Sequence, residues 1–119
     1  MGTYLIDEPI TRERLQEIAN ERFGDMVKGV VDIEQGLLIV GSELHIDGAT
    51  ALQEGHGSKG EALWGVNLYP GEAAGDFLEF DSVINLKPTL GNRTRSVEGE
   101  TVRDAIIAVV RKKVTDSGL

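Results

Sequence analysis

The sequence contains no cysteine, only three prolines and few aromatic residues, which make up 5% of the chain. The absence of cysteine excludes disulfide bonds, thiolate metal sites and cysteine nucleophiles, and it suits a reducing compartment. No apolar run approaches the roughly 20 residues that cross a bilayer. The N-terminus also has no basic region followed by an apolar stretch, so we expect no signal peptide. These features predict a cytoplasmic protein with no membrane partner.

Basic residues are also scarce, because 12 Lys and Arg side chains stand against 20 acidic ones and give a formal net charge of -8. Binding to a nucleic-acid backbone requires Lys and Arg to replace counterions, so this balance argues against nucleic-acid partners. The 119 residues and the hydrophobic fraction of 40% predict a single domain over 1–119. A core of this size needs no structural metal, and we expect no cofactor.

Two amphipathic helices flank the strand candidates. The first begins after Thr11 as N-cap and ends at Gly24, and the second runs from about Glu100 to Val114. Four segments between them have strand patterns: 26–33, 37–47, 62–69 and 77–87. Gly41 is a candidate bulge. The predicted fold class is α+β, an antiparallel sheet of about four strands with the N- and C-terminal helices packed on one face.

The other face of this sheet, which we predict to be uncovered, is the candidate site. In the 37–47 segment, Glu43, His45 and Asp47 alternate with apolar residues and would lie in a row on a strand. The later strands and the loop after 77–87 bring further polar side chains to the same face. The candidate ligand-binding residues are Glu43, His45, Asn67, Tyr69, Asp81, Asn85, Arg93 and Arg95.

The row also suggests a metal site, with His45, Glu43 and Asp81 as candidate ligands, because imidazole with carboxylates suits zinc, manganese or iron. Three ligands on one strand would span about 13 Å at ~3.3 Å per residue, so a neighbouring strand would have to help. A solvated polar face is the simpler interpretation and is the default for antiparallel sheets.

A glycine-rich loop over 55–60 matches the spacing of the dinucleotide fingerprint formally. The fingerprint works where a helix follows it, and here a strand is predicted instead, so we reject a dinucleotide site. The loop is interpreted as a flexible connection, or as a segment that carries His56, Ser58 and Lys59 over the polar face.

Arg93 and Arg95 form the second local cluster of interest. Two guanidinium groups at this spacing suit a phosphate or carboxylate ligand. Equally, the arginines would neutralise the acidic face by pairing with Glu79 or Asp81. The sequence does not decide between these interpretations.

Five separated motifs follow one another along most of the chain: FGDMVKGVVDI (23–33), GSELH (41–45), GSK with LWGVNLYP (57–59 and 63–70), EFDSVIN (79–85) and GNRTR (91–95). Together they resemble a family of small prokaryotic proteins that is classified only as a domain of unknown function. The resemblance covers about residues 10–112. It implies no activity, cofactor or partner.

We therefore expect a non-enzymatic module that binds a small polar ligand or a protein partner through the polar sheet face. One alternative is a metal-assisted hydrolase that uses His45 with nearby carboxylates. The other is a structural or assembly component that forms a homodimer, because bare sheet edges invite pairing. The sequence leaves the question of enzymatic activity open.

Overall fold

The computed structural model describes residues 2–119, and within them the strands form one five-stranded antiparallel sheet in the order β1-β3-β2-β4-β5. The strands are β1 (Tyr4–Leu5), β2 (Val27–Asp32), β3 (Leu37–Ser42), β4 (Leu63–Leu68) and β5 (Leu78–Glu79). The α-helices are α1 (Arg12–Asn20), α2 (His45–His56), α3 (Ala74–Phe77) and α4 (Glu100–Lys113). The predicted α+β class is confirmed, with one strand more than expected. None of the helices within 2–119 is long and apolar enough to cross a membrane.

Helices α1 and α4 pack on the same face of the sheet, as predicted. The N-cap of α1 is Thr11, whose side chain accepts a hydrogen bond from the backbone N–H of Arg14 at 3.1 Å. The apolar stripes of both helices meet the strand residues that alternate toward them. The fully or nearly buried residues of this core include Leu15, Ile18, Ala19, Val27, Val31, Leu38, Val40, Trp64, Val66, Leu68, Ile106 and Val110.

The predicted bulge at Gly41 is confirmed. Lys28 pairs with Ser42, while the next residue, Gly29, pairs with Val40, so Gly41 is the extra residue in β3. Its φ of +100° lies in the region that favours glycine.

The prediction of a strand over the whole of 37–47 is wrong, because β3 ends at Ser42 and α2 begins at His45. Glu43, His45 and Asp47 therefore do not form a row on a strand. The competing signal is a helical one, since the buried residues of α2 recur at three- and four-residue spacing: His45, Gly48, Ala49 and Leu52. Gly57 ends the helix in the left-handed conformation, with a φ of +66°.

The second face of the sheet is not bare, in contrast to the prediction. Helix α2 packs against it through Ala49 and Leu52. These two residues form a smaller core with one residue from each of three strands: Val30, Ile39 and Leu63. Gly48 lies at the contact, where a Cβ atom would lie 3.1 Å from Cγ2 of Val30. The absence of a side chain at Gly48 thus allows the close approach of helix and sheet.

The predicted strand over 77–87 is also wrong, since only Leu78–Glu79 pairs with β4. The hydroxyl of Ser82 accepts a hydrogen bond from the backbone N–H of Ile84 at 3.3 Å and so favours a turn over an extended strand. The chain continues as 3₁₀ turns at Val83–Asn85 and Pro88–Leu90.

Candidate functional site

A pocket of about 600 Å³ opens on the second face, between the start of α2, the strands β2 and β4, and the segment 81–84. Its lining combines charged, polar and apolar side chains: Lys28, Leu44, His45, Ile46, Asn67, Asp81, Ser82, Val83, Ile84 and Arg95. We call this cavity the α2 pocket. Its size suits a small molecule.

The floor of the α2 pocket comes from strand pairing. Lys28 on β2 and Asn67 on β4 are direct partners in the antiparallel register, so their side chains stand next to each other on the same face. His45, the first residue of α2, closes this side of the cavity and is 9% exposed. Its Nε2 lies 2.9 Å from the carbonyl oxygen of Val66. A carbonyl only accepts, so Nε2 carries the hydrogen and the neutral ring has a free lone pair at Nδ1.

Burial lowers the pKa of His45 below its usual value, and the nearby positive charge of Lys28 acts in the same direction. The hydrogen bond to Val66, the side chain of Asn67 and the charge of Asp81 oppose this shift but do not reverse it. Burial and Lys28 thus favour the neutral form of the His45 ring.

Asn67 is only 6% exposed, and only the nitrogen of its side-chain amide has hydrogen-bond partners within residues 2–119. Its amide nitrogen donates to Oε1 of Glu79 at 2.9 Å and to the backbone carbonyl of Asp81 at 3.4 Å. Its Oδ1 has no hydrogen-bond partner among residues 2–119. Because both partners of the nitrogen are acceptors, the orientation of the amide is fixed and the unpaired atom is the oxygen. An unpaired buried acceptor costs free energy, and such groups often mark sites of function.

Asp81 and Arg95 form an ion pair at the mouth of the pocket. The guanidinium Nε donates to Oδ1 of Asp81 at 2.7 Å, and both side chains are about half exposed. An exposed pair of this kind contributes little stability, but it orients the remaining guanidinium nitrogens. The interpretation in which the arginines neutralise acidic residues thus describes Arg95 well.

The wall formed by the segment 81–84 is held in place by Asn85, which is fully buried. Its amide donates to the carbonyls of Gly65 at 2.9 Å and Arg95 at 3.0 Å, and its Oδ1 accepts from the N–H of Gly65 at 2.8 Å. The wall lies directly over Gly65, where a Cβ atom would lie 2.5 Å from the side chain of Ser82. The candidate ligand-binding residue Asn85 does not line the pocket, and its hydrogen bonds tie the segment behind the wall to Gly65 and Arg95.

Four of the candidate residues therefore line one cavity: His45, Asn67, Asp81 and Arg95. Tyr69 lies beyond Asn67, with its hydroxyl donating to Glu79 at 2.8 Å. Burial and the hydrogen bond to Glu79 raise the pKa of Tyr69 to about 12. Tyr69 and Glu79 thus extend a polar network from the floor of the pocket.

The other candidates lie elsewhere. The exposed Glu43 faces Arg22, with 4.0 Å between the charged atoms. The exposed Arg93 donates its backbone N–H to Glu98. Among residues 2–119, no three acidic, histidine or cysteine side chains are grouped so that they could hold a metal ion, so the set of Glu43, His45 and Asp81 is not assembled.

The loop residues His56, Ser58 and Lys59 do not line the α2 pocket. Ser58 is buried and donates to Oδ2 of Asp32 at 2.7 Å, and Lys59 pairs with Glu34 at 3.8 Å. Asp32 is the last residue of β2, whereas Lys28 at the pocket lies near its first residue. The glycine-rich segment therefore lies toward the opposite end of β2.

Six lining residues were missed by the sequence reasoning: Lys28, Leu44, Ile46, Ser82, Val83 and Ile84. Lys28 had a signal, because it alternates with Val27 in β2 and so belongs to the polar face. The others were assigned to strands that do not form.

Searches among curated proteins and among solved structures found no match to this chain. A family model described as "Protein of unknown function (DUF5674)" matches residues 4–113, which is nearly the whole chain. The chain belongs to this family of proteins of unknown function.

Proposed function

We propose that the protein is a non-enzymatic module that binds a small polar ligand in the α2 pocket. The observation that carries this proposal is that polar residues from distant parts of the chain meet in one cavity. His45, Asn67, Asp81 and Arg95 come from separate parts of the chain, and they line one cavity of about 600 Å³ together with apolar side chains. Binding sites for small molecules are cavities of this kind, mostly apolar with a few polar groups that fix orientation.

The hydrogen bonds of the polar groups in the pocket favour ligand binding over catalysis. His45 uses Nε2 on a backbone carbonyl, and the hydroxyl of Ser82 is engaged as an acceptor for the N–H of Ile84. Nucleophilic catalysis would require a nucleophile that is hydrogen-bonded to a base such as His45. Within residues 2–119, no nucleophile of the pocket is hydrogen-bonded to His45. The metal-assisted hydrolase alternative would need a set of metal ligands, and residues 2–119 contain no such group of histidine and acidic side chains.

The test is a screen of several hundred polar fragments against ¹⁵N-labelled protein, with ¹H–¹⁵N spectra as the readout. We expect hits whose shift changes centre on the backbone amides of His45, Asn67 and Ser82. Val83→Trp should fill the mouth of the pocket and abolish these changes, because Val83 lines the pocket and is 61% exposed. The matched control is Leu90→Trp, since Leu90 is 53% exposed but does not line this pocket.

A screen without a hit at these amides would overturn the proposal. Hits that survive Val83→Trp unchanged would also overturn it, because the ligand would then bind elsewhere.

A further inference from the structure

The charge of the α2 pocket differs from that of the protein as a whole. The chain has a formal net charge of -8. The pocket lining, in contrast, has two cations, Lys28 and Arg95, against the single carboxylate of Asp81, with His45 counted in the neutral form that burial favours. Glu79 lies next to this lining, but Asn67 and Tyr69 engage the Oε1 of its carboxylate. The lining alone thus carries a formal charge of +1 on an acidic protein, with the negative charge of Glu79 beside it.

Both cations retain donors for a ligand. Lys28 forms no ion pair with any carboxylate within residues 2–119, and its Nζ lies 5.3 Å from the centre of the Phe23 ring. Arg95 uses Nε for Asp81, so the two terminal nitrogens of its planar fork stay available. A guanidinium presented in this way matches the geometry of a carboxylate.

The start of α2 adds backbone donors. The first N–H groups of a helix have no partner inside the helix. Leu44 occupies the N-cap position of α2, where no side chain caps the helix. Leu44, His45 and Ile46 all line the pocket, so the positive end of the helix dipole lies at the cavity.

The unpaired Oδ1 of Asn67 gives an independent sign of a missing partner. The amide of Asn67 lies beside the His45 ring and favours its protonated form. A second proton on His45 would go to Nδ1, because Nε2 already donates to the carbonyl of Val66. An anion in the pocket would stabilise that imidazolium. The groups facing the ring are the charged Lys28 and Asp81 and the uncharged Val66 and Asn67.

The rim of the pocket is apolar. Leu44 and Ile46 are each 52% exposed, and Val83 is 61% exposed. Three large apolar side chains at one rim suit a ligand with a hydrocarbon body.

We propose that the ligand of the α2 pocket is a small organic monocarboxylate, bound with uptake of a proton by His45. Its carboxylate lies between Lys28, Arg95 and the start of α2, and its hydrocarbon body contacts the apolar rim. This inference rests on the proposed function, because it names the class of ligand for the same pocket.

The test compares hexanoate with its uncharged and cationic analogues, hexanamide and hexylamine, by titration followed in ¹H–¹⁵N spectra. We expect hexanoate to bind about tenfold more tightly than hexanamide, which corresponds to about 1.4 kcal/mol. Lys28→Gln and Arg95→Gln should each weaken hexanoate binding by about three- to tenfold, whereas the control Arg93→Gln should leave it unchanged. Circular dichroism of each variant establishes that it is folded.

Two further readouts separate ligand binding from a structural role. Asp81→Asn should strengthen hexanoate binding, because it removes the one carboxylate of the lining; a residue that only held the pocket together would weaken it. Lowering the pH from 7.5 to 5.5 should also strengthen binding in the parent protein, and His45→Gln should remove this dependence.

The outcomes distinguish the inference from the proposed function. If hexanamide or hexylamine binds as tightly as hexanoate, and Val83→Trp abolishes that binding, the pocket is a ligand site but the monocarboxylate inference is wrong. If Asp81→Asn weakens hexanoate binding or the pH has no effect, the inference is also wrong. If no polar fragment binds in the pocket, both proposals fall.

Discussion

Asn85 is expected to contribute strongly to the stability of the fold, because its buried side chain bonds to backbone groups of Gly65 and Arg95. Asn85→Ala would leave the N–H and the carbonyl of Gly65 without the partners that they have at 2.8 and 2.9 Å. The carbonyl of Arg95 would still accept from the N–H of Ser82 at 3.0 Å, so its loss is smaller. Each buried group left unpaired costs about 1–3 kcal/mol. The expected loss for these two groups is therefore about 2–6 kcal/mol, a large part of the roughly 5–15 kcal/mol that stabilises a typical domain.

Urea denaturation followed by circular dichroism measures this loss. The control is Asn20→Ala at the end of α1. The exposed Asn20 side chain accepts from the side chain of Gln16 at 2.9 Å and makes no other side-chain hydrogen bond within residues 2–119, so the loss should stay within about 0.5 kcal/mol. Asn85→Ala should also abolish ligand binding in the α2 pocket, since the wall over Gly65 loses its support. A destabilisation below about 1 kcal/mol would refute the reasoning, because a water molecule or a local shift would then have replaced the asparagine.

Three other predictions concern single features of the fold. Gly65→Ala should destabilise the protein by about 1–3 kcal/mol in urea denaturation, because the new Cβ would lie 2.5 Å from the side chain of Ser82; an unchanged midpoint would contradict this close approach. Thr11→Ala should cost about 1 kcal/mol through the lost cap of α1, which thermal unfolding detects, and an equally stable variant would contradict the role of that cap. Tyr69, whose pKa is raised to about 12 by burial and by Glu79, stays protonated in the folded state at a pH where the unfolded chain ionises. Stability should therefore fall as the pH rises from about 10 to about 12. Absorbance titration should show a lower pKa for Tyr69 in Glu79→Gln, and the same pKa in both proteins would refute the assignment.

The parts of the fold that followed from the sequence are those where local pattern and tertiary environment agree. The α1 stripe has a cap at Thr11, and β4 alternates apolar Trp64, Val66 and Leu68 with residues of the other face. Only the apolar stripe of α1 is buried, and the large side chains of Trp64, Val66 and Leu68 lie on one face of β4, so the period of apolar residues determines each element.

The strands predicted over 43–47 and 80–87 do not form, because tertiary contacts override a local pattern there. Helix α2 contains Gly48, a poor helix former, at a position where a Cβ atom would lie only 3.1 Å from Cγ2 of Val30. In the second segment, the side chains of Ser82 and Asn85 bond to backbone groups and replace the expected strand.

The lining of the α2 pocket overlaps in part with the candidate residues named from the sequence. His45, Asn67, Asp81 and Arg95 were named from their chemistry, and they do line one cavity. The reason given for His45 was nevertheless wrong, because it reaches the cavity from the start of a helix and not from a strand. The role of Asn85 depends on Gly65, a contact between residues distant in sequence, which local periodicity does not reveal.

The side chain of Asn85 also has a consequence for self-association. Strand β5 pairs with β4 only at Asn67 and Leu68, so the outer edge of β4 at Gly65 has no neighbouring strand in residues 2–119. Asn85 supplies there the donor and the acceptor that a further strand would otherwise supply. A bare strand edge is a template for the strands of other molecules and leads to aggregation. The same asparagine that supports the pocket wall thus keeps this edge closed to other chains.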